Sequence, residues 1–337
     1  MPTIVRLPAL ATTGASDAKI LTLGSVLLTT SMSYESLKED LRGVAFTNPT
    51  PFTEDGESVR HEAMRENLEA IVDAGGRLII PCGNTGEYYS LTNEERVAVV
   101  ETTVEAVGDS ASVVAGVGGS TKTALDLSER YEQAGADALL VMHPVHTYMH
   151  EHGVEEYYRR IIEATDLGVV LYKRGPELTH DHLASLADYD NVVAVKYADN
   201  DVKAFSSAAS SIDGVVWSNG IAERFGPSFA VEGAEGYTTG IGNFVPEATL
   251  ALMEALREED WERAREIRDV LRPYEDLREE PGEGSTISAG NNVPAVKFGM
   301  ELADLHGGPV REPLVDLSEA DRERAREYYD RIVTADL

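Results

Sequence analysis

The chain has 337 residues, 42% of them apolar, with 59 acidic against 29 basic residues and a formal charge of −30. That is ample material for one large core, although length alone equally permits two domains. A field this negative repels phosphate backbones and anionic lipid heads, which argues against nucleic acid and membrane surfaces as partners.

The acidic excess has a physical reading of its own. At multi-molar salt the Debye length falls to roughly 3 Å or less, so surface carboxylates scarcely repel each other and keep a protein hydrated. The expectation is a cytoplasmic protein of a halophile. The alternative is an ordinary acidic protein, since Glu258, Glu259, Asp260, Glu262 and Glu266 are also what a solvated helix face carries. The single cysteine, Cys82, ends the apolar run Leu78-Ile79-Ile80-Pro81 and reads as a small buried hydrophobe. No run approaches the ~18 apolar residues that span a bilayer; the longest, Ile20 to Leu28, is interrupted by Thr22 and Gly24.

Residues 1 to 31 hold one acid, Asp17, and are rich in Ala, Thr, Leu and Ser, with only Arg6 to serve as the positive start of a signal peptide. They are expected to be a disordered extension, with Met32 as the functional start. From Gly43 onward, Val- and Ile-rich runs alternate with stretches of helical period, the pattern of repeated βα units around a parallel sheet. Eight runs follow in order: Gly43 to Phe52, Arg77 to Gly83, Ser112 to Gly118, Ala136 to Pro144, Gly168 to Arg174, Asn191 to Ala198, Gly214 to Gly220 and Gly233 to Asn243. Between them, Val97, Val100, Val104 and Val107 recur at helical spacing behind a Thr92/Glu95 capping box, and Gly75 and Gly135 stop helices just before strands. The predicted architecture is a (β/α)8 TIM barrel over 32–245, with a doubly wound open sheet as the alternative. A C-terminal helical appendage over 246–337 is predicted from helical stretches at Pro246 to Leu271, Pro294 to Met300 and Ser318 to Val333, with a mobile loop at Arg278 to Asn292.

Barrel active sites lie where strands end, so the last residues of each run are the candidates. After the second run, Gly83-Asn84-Thr85-Gly86-Glu87 offers backbone N–H groups and a hydroxyl to an oxyanion, or is an ordinary tight turn. Lys196 sits inside the apolar sixth run, where desolvation disfavours the ammonium and a neutral amine can attack a ketone. Its alternative is a structural ion pair with Asp199. Lys297 is placed on a helix, where snorkelling accounts for its apolar neighbours. Tyr172 closes the fifth run, where a phenol could move protons beside an imine or simply pack. Lys173 and Arg174 follow it, and either could attract a carboxylate. Thr238 in the eighth run is a further substrate-binding candidate. The fourth-run exit carries His143, His146 and His150 with Glu151, a combination that could ligate a metal but matches no ligand spacing.

Taken together, the Gly83 to Glu87 turn, Tyr172 and Lys196 resemble the dihydrodipicolinate synthase/N-acetylneuraminate lyase family, over roughly Leu41 to Leu314. The resemblance implies that the turn binds a keto-acid carboxylate, that Tyr172 carries protons and that Lys196 forms a Schiff base. It implies no metal and no organic cofactor, and a homotetramer built from dimers. Two departures stand out. Synthases of dihydrodipicolinate carry an arginine five residues after the strand-five tyrosine, where this chain has Glu177, and a second relay tyrosine where this chain has His146. The segments Tyr172-Lys173-Arg174 and Asn243-Phe244-Val245-Pro246 look more like the branch that dehydrates 2-keto-3-deoxy sugar acids, such as 5-dehydro-4-deoxyglucarate dehydratase. The expected function is therefore a Schiff-base lyase acting on a small 2-keto acid, with Lys196, Tyr172 and His146 catalytic, and Gly83, Asn84, Thr85, Gly86, Arg174 and Thr238 holding substrate. Aldol cleavage and synthase-type condensation are the alternatives within the family; a metal-dependent barrel enzyme and a non-catalytic keto-acid-binding protein are those outside it.

Overall fold

A computed structural model describes residues 34–337, so the extension expected over 1–31 and the Met32 start lie outside the described residues. Eight strands, β1 (Val44–Thr47), β2 (Leu78–Ile80), β3 (Ser112–Val117), β4 (Ala138–Val141), β5 (Gly168–Lys173), β6 (Val192–Tyr197), β7 (Val216–Asn219) and β8 (Gly236–Thr239), pair in parallel in chain order. β8 returns to β1, with Ala45 beside Thr238 and Phe46 beside Thr239, and closes the barrel. This is the predicted TIM barrel.

Helices lie between the strands: α1 (residues 34–41) before β1, then α2 (His61–Asp73), α3 (Asn93–Val107), α4 (Thr121–Ala134), α5 (Glu151–Ile162), α6 (His180–Ala187), α7 (Val202–Ala209) and α8 (Gly226–Val231). Apart from Ser112, every strand residue is buried, because one face fills the barrel and the other meets these helices. The local signals act as read. Thr92 accepts from the Glu95 N–H at 3.2 Å while Glu95 accepts from the Thr92 N–H at 2.9 Å. Gly75 and Gly135 adopt φ of 106° and 92° as α2 and α4 end, a conformation that favours glycine.

Four helices follow β8: α9 (Pro246–Arg257), α10 (Trp261–Glu279), α11 (Asn292–Leu302) and α12 (Glu319–Val333). The single helix expected from Pro246 to Leu271 is two. Glu259 takes a left-handed φ of 56°, and Asp260 starts α10 by accepting from the Arg263 N–H at 3.0 Å. The stretch expected as loop from Arg278 begins as helix, since Arg278 is buried in the last turn of α10 beside Glu275. No described helix is long and apolar enough to cross a membrane.

Candidate active site

A cavity of about 600 Å³ opens where the strands end, and Thr47, Thr85, Tyr172, Lys196, Thr238 and Arg278 are among the residues that line it. Its floor is set by strand register. Lys196 on β6 pairs with Tyr172 on β5 and Ser218 on β7, so the three side chains share the inner face. The Lys196 amine lies 4.7 Å from the centre of the Tyr172 ring. Gly220 permits this packing, because a Cβ there would stand 3.0 Å from Lys196 Cγ and 2.9 Å from the Tyr197 carbonyl.

Lys196 is 7% exposed, and burial, reinforced by the positive charges of Arg174 and Arg278, pulls its pKa down to about 7. The ion pair with Asp199 that offered a structural role for Lys196 does not form. Asp199 lies 2.6 Å from Lys173 and accepts from the Gly175 N–H at 2.7 Å. The reason is alternation: Lys173 is in register with Tyr197, and Asp199 stands two residues further on that same outward side.

The turn after β2 brings Thr85 and Asn84 to the cavity wall. Its left-handed residues are Cys82 and Glu87, at φ of 56° and 55°, and not its glycines. Gly86 serves close approach instead, since a Cβ would stand 2.9 Å from the Asn48 carbonyl and 3.0 Å from the Cys82 nitrogen. The Glu87 and Tyr88 N–H groups bond back to the Asn84 and Gly83 carbonyls, while those of Thr85 and Gly86 have no partner among the described residues. Thr85 Oγ1 stands 3.1 Å from Thr47 Oγ1, and Thr47 donates to the Thr239 carbonyl at 2.6 Å. One hydroxyl proton cannot serve both acceptors at once, so Thr47 bonds either the Thr239 carbonyl or Thr85.

Glu87 turns away from the cavity and pairs with Lys297, which is 2% exposed and also donates to the Pro309 carbonyl at 2.7 Å. Lys297 therefore does not snorkel. The buried carboxylate of the turn supplies Lys297 with a partner that its own helix does not reveal, yet burial still lowers the pKa of the lysine.

Tyr172 Oη accepts from Asn84 Nδ2 at 3.1 Å and from Arg174 Nη1 at 3.3 Å. Two donors thus converge on one phenol oxygen in the cavity wall. Attraction to Tyr172 raises the pKa of Arg174, which makes no ion pair among the described residues and so keeps its charge for the cavity.

Of the residues expected to hold or transform a substrate, Asn84, Thr85, Tyr172, Arg174, Lys196 and Thr238 line this one cavity. Gly83 and Gly86 shape the turn behind it. His146 does not join them: it is exposed on the loop after β4, where its Nδ1 accepts from the Tyr148 N–H at 3.0 Å. The histidine that lines the cavity is His143, whose pKa is lowered chiefly by burial. No group of three His, Cys, Asp or Glu side chains among the described residues stands close enough to hold a metal.

Sequence reading singled out the Asn243-Phe244-Val245-Pro246 segment but missed the α10 wall of the cavity. Asn243 donates to the Thr47 and Gly240 carbonyls at 2.9 and 2.8 Å and accepts from Asn48, tying the ends of β1 and β8 together. Glu275 and Arg278 reach the cavity from α10, joined at 2.5 Å, and a Cβ on Gly240 would collide with that guanidinium. Behind them Glu223 is fully buried in the short turn after β7. The residue before it, Ala222, has φ of 63° and ψ of −165°, a region that costs a side-chain-bearing residue about 1–3 kcal/mol. Asn219 holds it there, donating to the Ala222 carbonyl and accepting from the Ile221 N–H, both at 2.9 Å. Thr47 was passed over inside the run Gly43 to Phe52, although a polar residue after Val44-Ala45-Phe46 is a signal of a strand end; the outer acids gave no such signal.

The dihydrodipicolinate synthetase family model matches residues 40–331. The chain belongs to this family. Relatives carry two kinds of name. A 4-hydroxy-tetrahydrodipicolinate synthase of Natronomonas pharaonis is 33% identical over 88% of this chain and 97% of its own length. A probable 5-dehydro-4-deoxyglucarate dehydratase of Bacillus licheniformis is 31% identical over 83% of this chain and 90% of its own. Among solved structures, dihydrodipicolinate synthase from Oceanobacillus iheyensis superimposes with a TM-score of 0.85 at 34% identity, covering 90% of this chain and all of that one. The family member described here is thus an enzyme of a lyase family, with its cavity at the family barrel's strand ends.

Proposed function

We propose that this chain dehydrates a 2-keto-3-deoxy sugar acid through a Schiff base on Lys196, in the manner of a 5-dehydro-4-deoxyglucarate dehydratase. The observation that carries the reading is a buried amine lowered to about 7 on the cavity floor, beside a tyrosine whose oxygen receives two donors. The unpartnered Thr85 and Gly86 N–H groups suit the carboxylate next to the keto group. Lys196 attacks C2, and loss of water leaves a protonated imine. That imine acidifies the C3 hydrogen, which Tyr172 accepts, and the resulting enamine expels the C4 hydroxyl.

Condensation of the synthase type is the second reading, favoured by relatives bearing that name. Against it, Glu177 stands where such synthases carry an arginine, and Arg174, which makes no ion pair among the described residues, is the cation at the cavity wall instead. Assembly as a homotetramer belongs to the same proposal, and exposed Tyr89, Val145, Tyr148 and Met149 offer apolar surface for a second copy.

The test is to incubate the enzyme with 2-keto-3-deoxypentonate, 2-keto-3-deoxyhexonate and 5-dehydro-4-deoxyglucarate, assaying the dehydrated keto acid and free pyruvate. The dehydrated product is expected from at least one of them. Stoichiometric pyruvate from all that react would overturn dehydration in favour of aldol cleavage.

A further inference from the structure

Dehydration leaves one role unfilled. Expelling the C4 hydroxyl as water needs a proton donor, and His146 stands on the exposed loop after β4. The outer wall holds a candidate. Glu275 and Arg278 lie one helical turn apart on α10, both lining the cavity, with the carboxylate and guanidinium joined at 2.5 Å. Glu223 comes near them from the short turn after β7, which packs against α10. It is 0% exposed, and neither of its carboxyl oxygens meets hydrogen-bond geometry with a partner among the described residues, although the Thr239 hydroxyl lies near enough to favour its charged form.

Two carboxyls and one guanidinium in a closed space leave one negative charge uncompensated if all three ionise, so the favoured state retains a proton on the acid pair. We propose that Glu223 and Glu275 share one proton, and that Glu275, at the cavity wall, delivers it to the departing hydroxyl. The proposal rests on the dehydratase reading given above. Glu275 is then the catalytic acid, and Glu223 is a positioning residue that keeps the proton available beside it. Tyr172 takes the C3 proton and C2=C3 forms. The pair of that bond then moves to C3=C4 as the imine is restored, the C4–O bond breaks with its electrons on oxygen, and that oxygen takes the Glu275 proton and leaves as water. The acid pair recovers a proton from solvent as Tyr172 loses its own, so the net loss is one water.

The groups facing Glu223 are Glu275 and Arg278 from α10 and Tyr237 from β8, with Glu279 close to Arg278. Burial first, and the Glu275 charge second, push Glu223 up to about 8. A raised carboxyl carries its proton below that pH and loses it above, so donation fails on the alkaline side.

The experiment compares the wild type with Glu223→Gln and Glu275→Gln on the sugar acid that the wild type dehydrates. Exchange of the C3 hydrogen in heavy water is followed by NMR alongside water loss. Each variant is expected to exchange C3 hydrogen at close to the wild-type rate, which shows fold and imine intact, while dehydration falls on the order of 100-fold. Wild-type dehydration should decline above about pH 8, and Glu223→Gln should move that limb without moving the exchange profile. Dehydration at the wild-type rate in both variants would overturn the acid pair alone, as would exchange and dehydration falling together. Pyruvate in place of a dehydrated product from the wild type would overturn the dehydratase reading and this role with it.

Discussion

Lys196→Met is expected to abolish turnover, on the order of 10⁴-fold or more, and at the same time to raise the melting temperature. Both effects have one cause. The unfolded chain keeps a proton on this lysine up to its ordinary value of 10.5, whereas the buried amine holds it only to about 7. Between those two values the unfolded state binds more protons, so stability rises with pH across that window. The cost of burying Lys196 is therefore full below pH 7 and gone above 10.5, with an upper bound of roughly 5 kcal/mol at about 1.36 kcal/mol per pH unit. Methionine fills nearly the same volume and carries no such cost. At roughly 2 °C per kcal/mol for a large domain, several degrees of added melting temperature are expected at pH 7. The gain should shrink steadily towards pH 10. Calorimetry at several pH values checks it, and a variant that melts no higher than the wild type at pH 7 would show that the amine is not held under desolvation.

Lys297→Met is expected to act in the opposite direction although it too removes a buried lysine. Here the amine has a partner, and taking it away leaves the Glu87 carboxylate, 0% exposed at its side chain, without a counter-charge. Breaking a buried pair from one side costs about 3–5 kcal/mol, whereas replacing both members with neutral groups is often close to neutral. The single variant should melt roughly 6–10 °C lower. Adding Glu87→Gln to it should restore most of that loss, although Glu87 also accepts from the Arg311 N–H at 3.0 Å. Because Glu87 anchors the turn that carries Thr85, substrate binding should weaken in the single variant as well. Equal melting of the single variant and the wild type would mean that the pair is not closed off from water.

The contrast between the two lysines shows how much of the site could be read from residues in order. Lys196 was legible because it interrupts an apolar strand and its neighbours in sequence settle which face it occupies. Lys297 was not, because its partner lies 210 positions away in a turn whose glutamate looked as available as any other. The strands were legible for a like reason: burial on both faces leaves unbroken Val and Ile runs, and Gly75 and Gly135 punctuate the helices before them. The break between α9 and α10 was hidden, since Glu259 takes a left-handed conformation without a glycine or proline to announce it. Arg278 was read as loop because the residues after it are polar and glycine-rich; its burial depends on Glu275 one turn back on α10, and on Asn292 and the end of β8, which only the closed barrel brings to it. His146 was assigned by its place opposite a family tyrosine, and position in a motif does not say which way a loop points. Glu223 gave no signal at all, being one acid among 59 in a short turn.

The central claim is that the Lys196 amine is the nucleophile. Treating the enzyme with pyruvate and borohydride, digesting it and locating the added mass by peptide mapping tests this most directly. The adduct is expected on the peptide containing Lys196, with trapping that slows below about pH 7 as the amine takes up its proton. An adduct on any other lysine, or undiminished trapping in Lys196→Met, would contradict it.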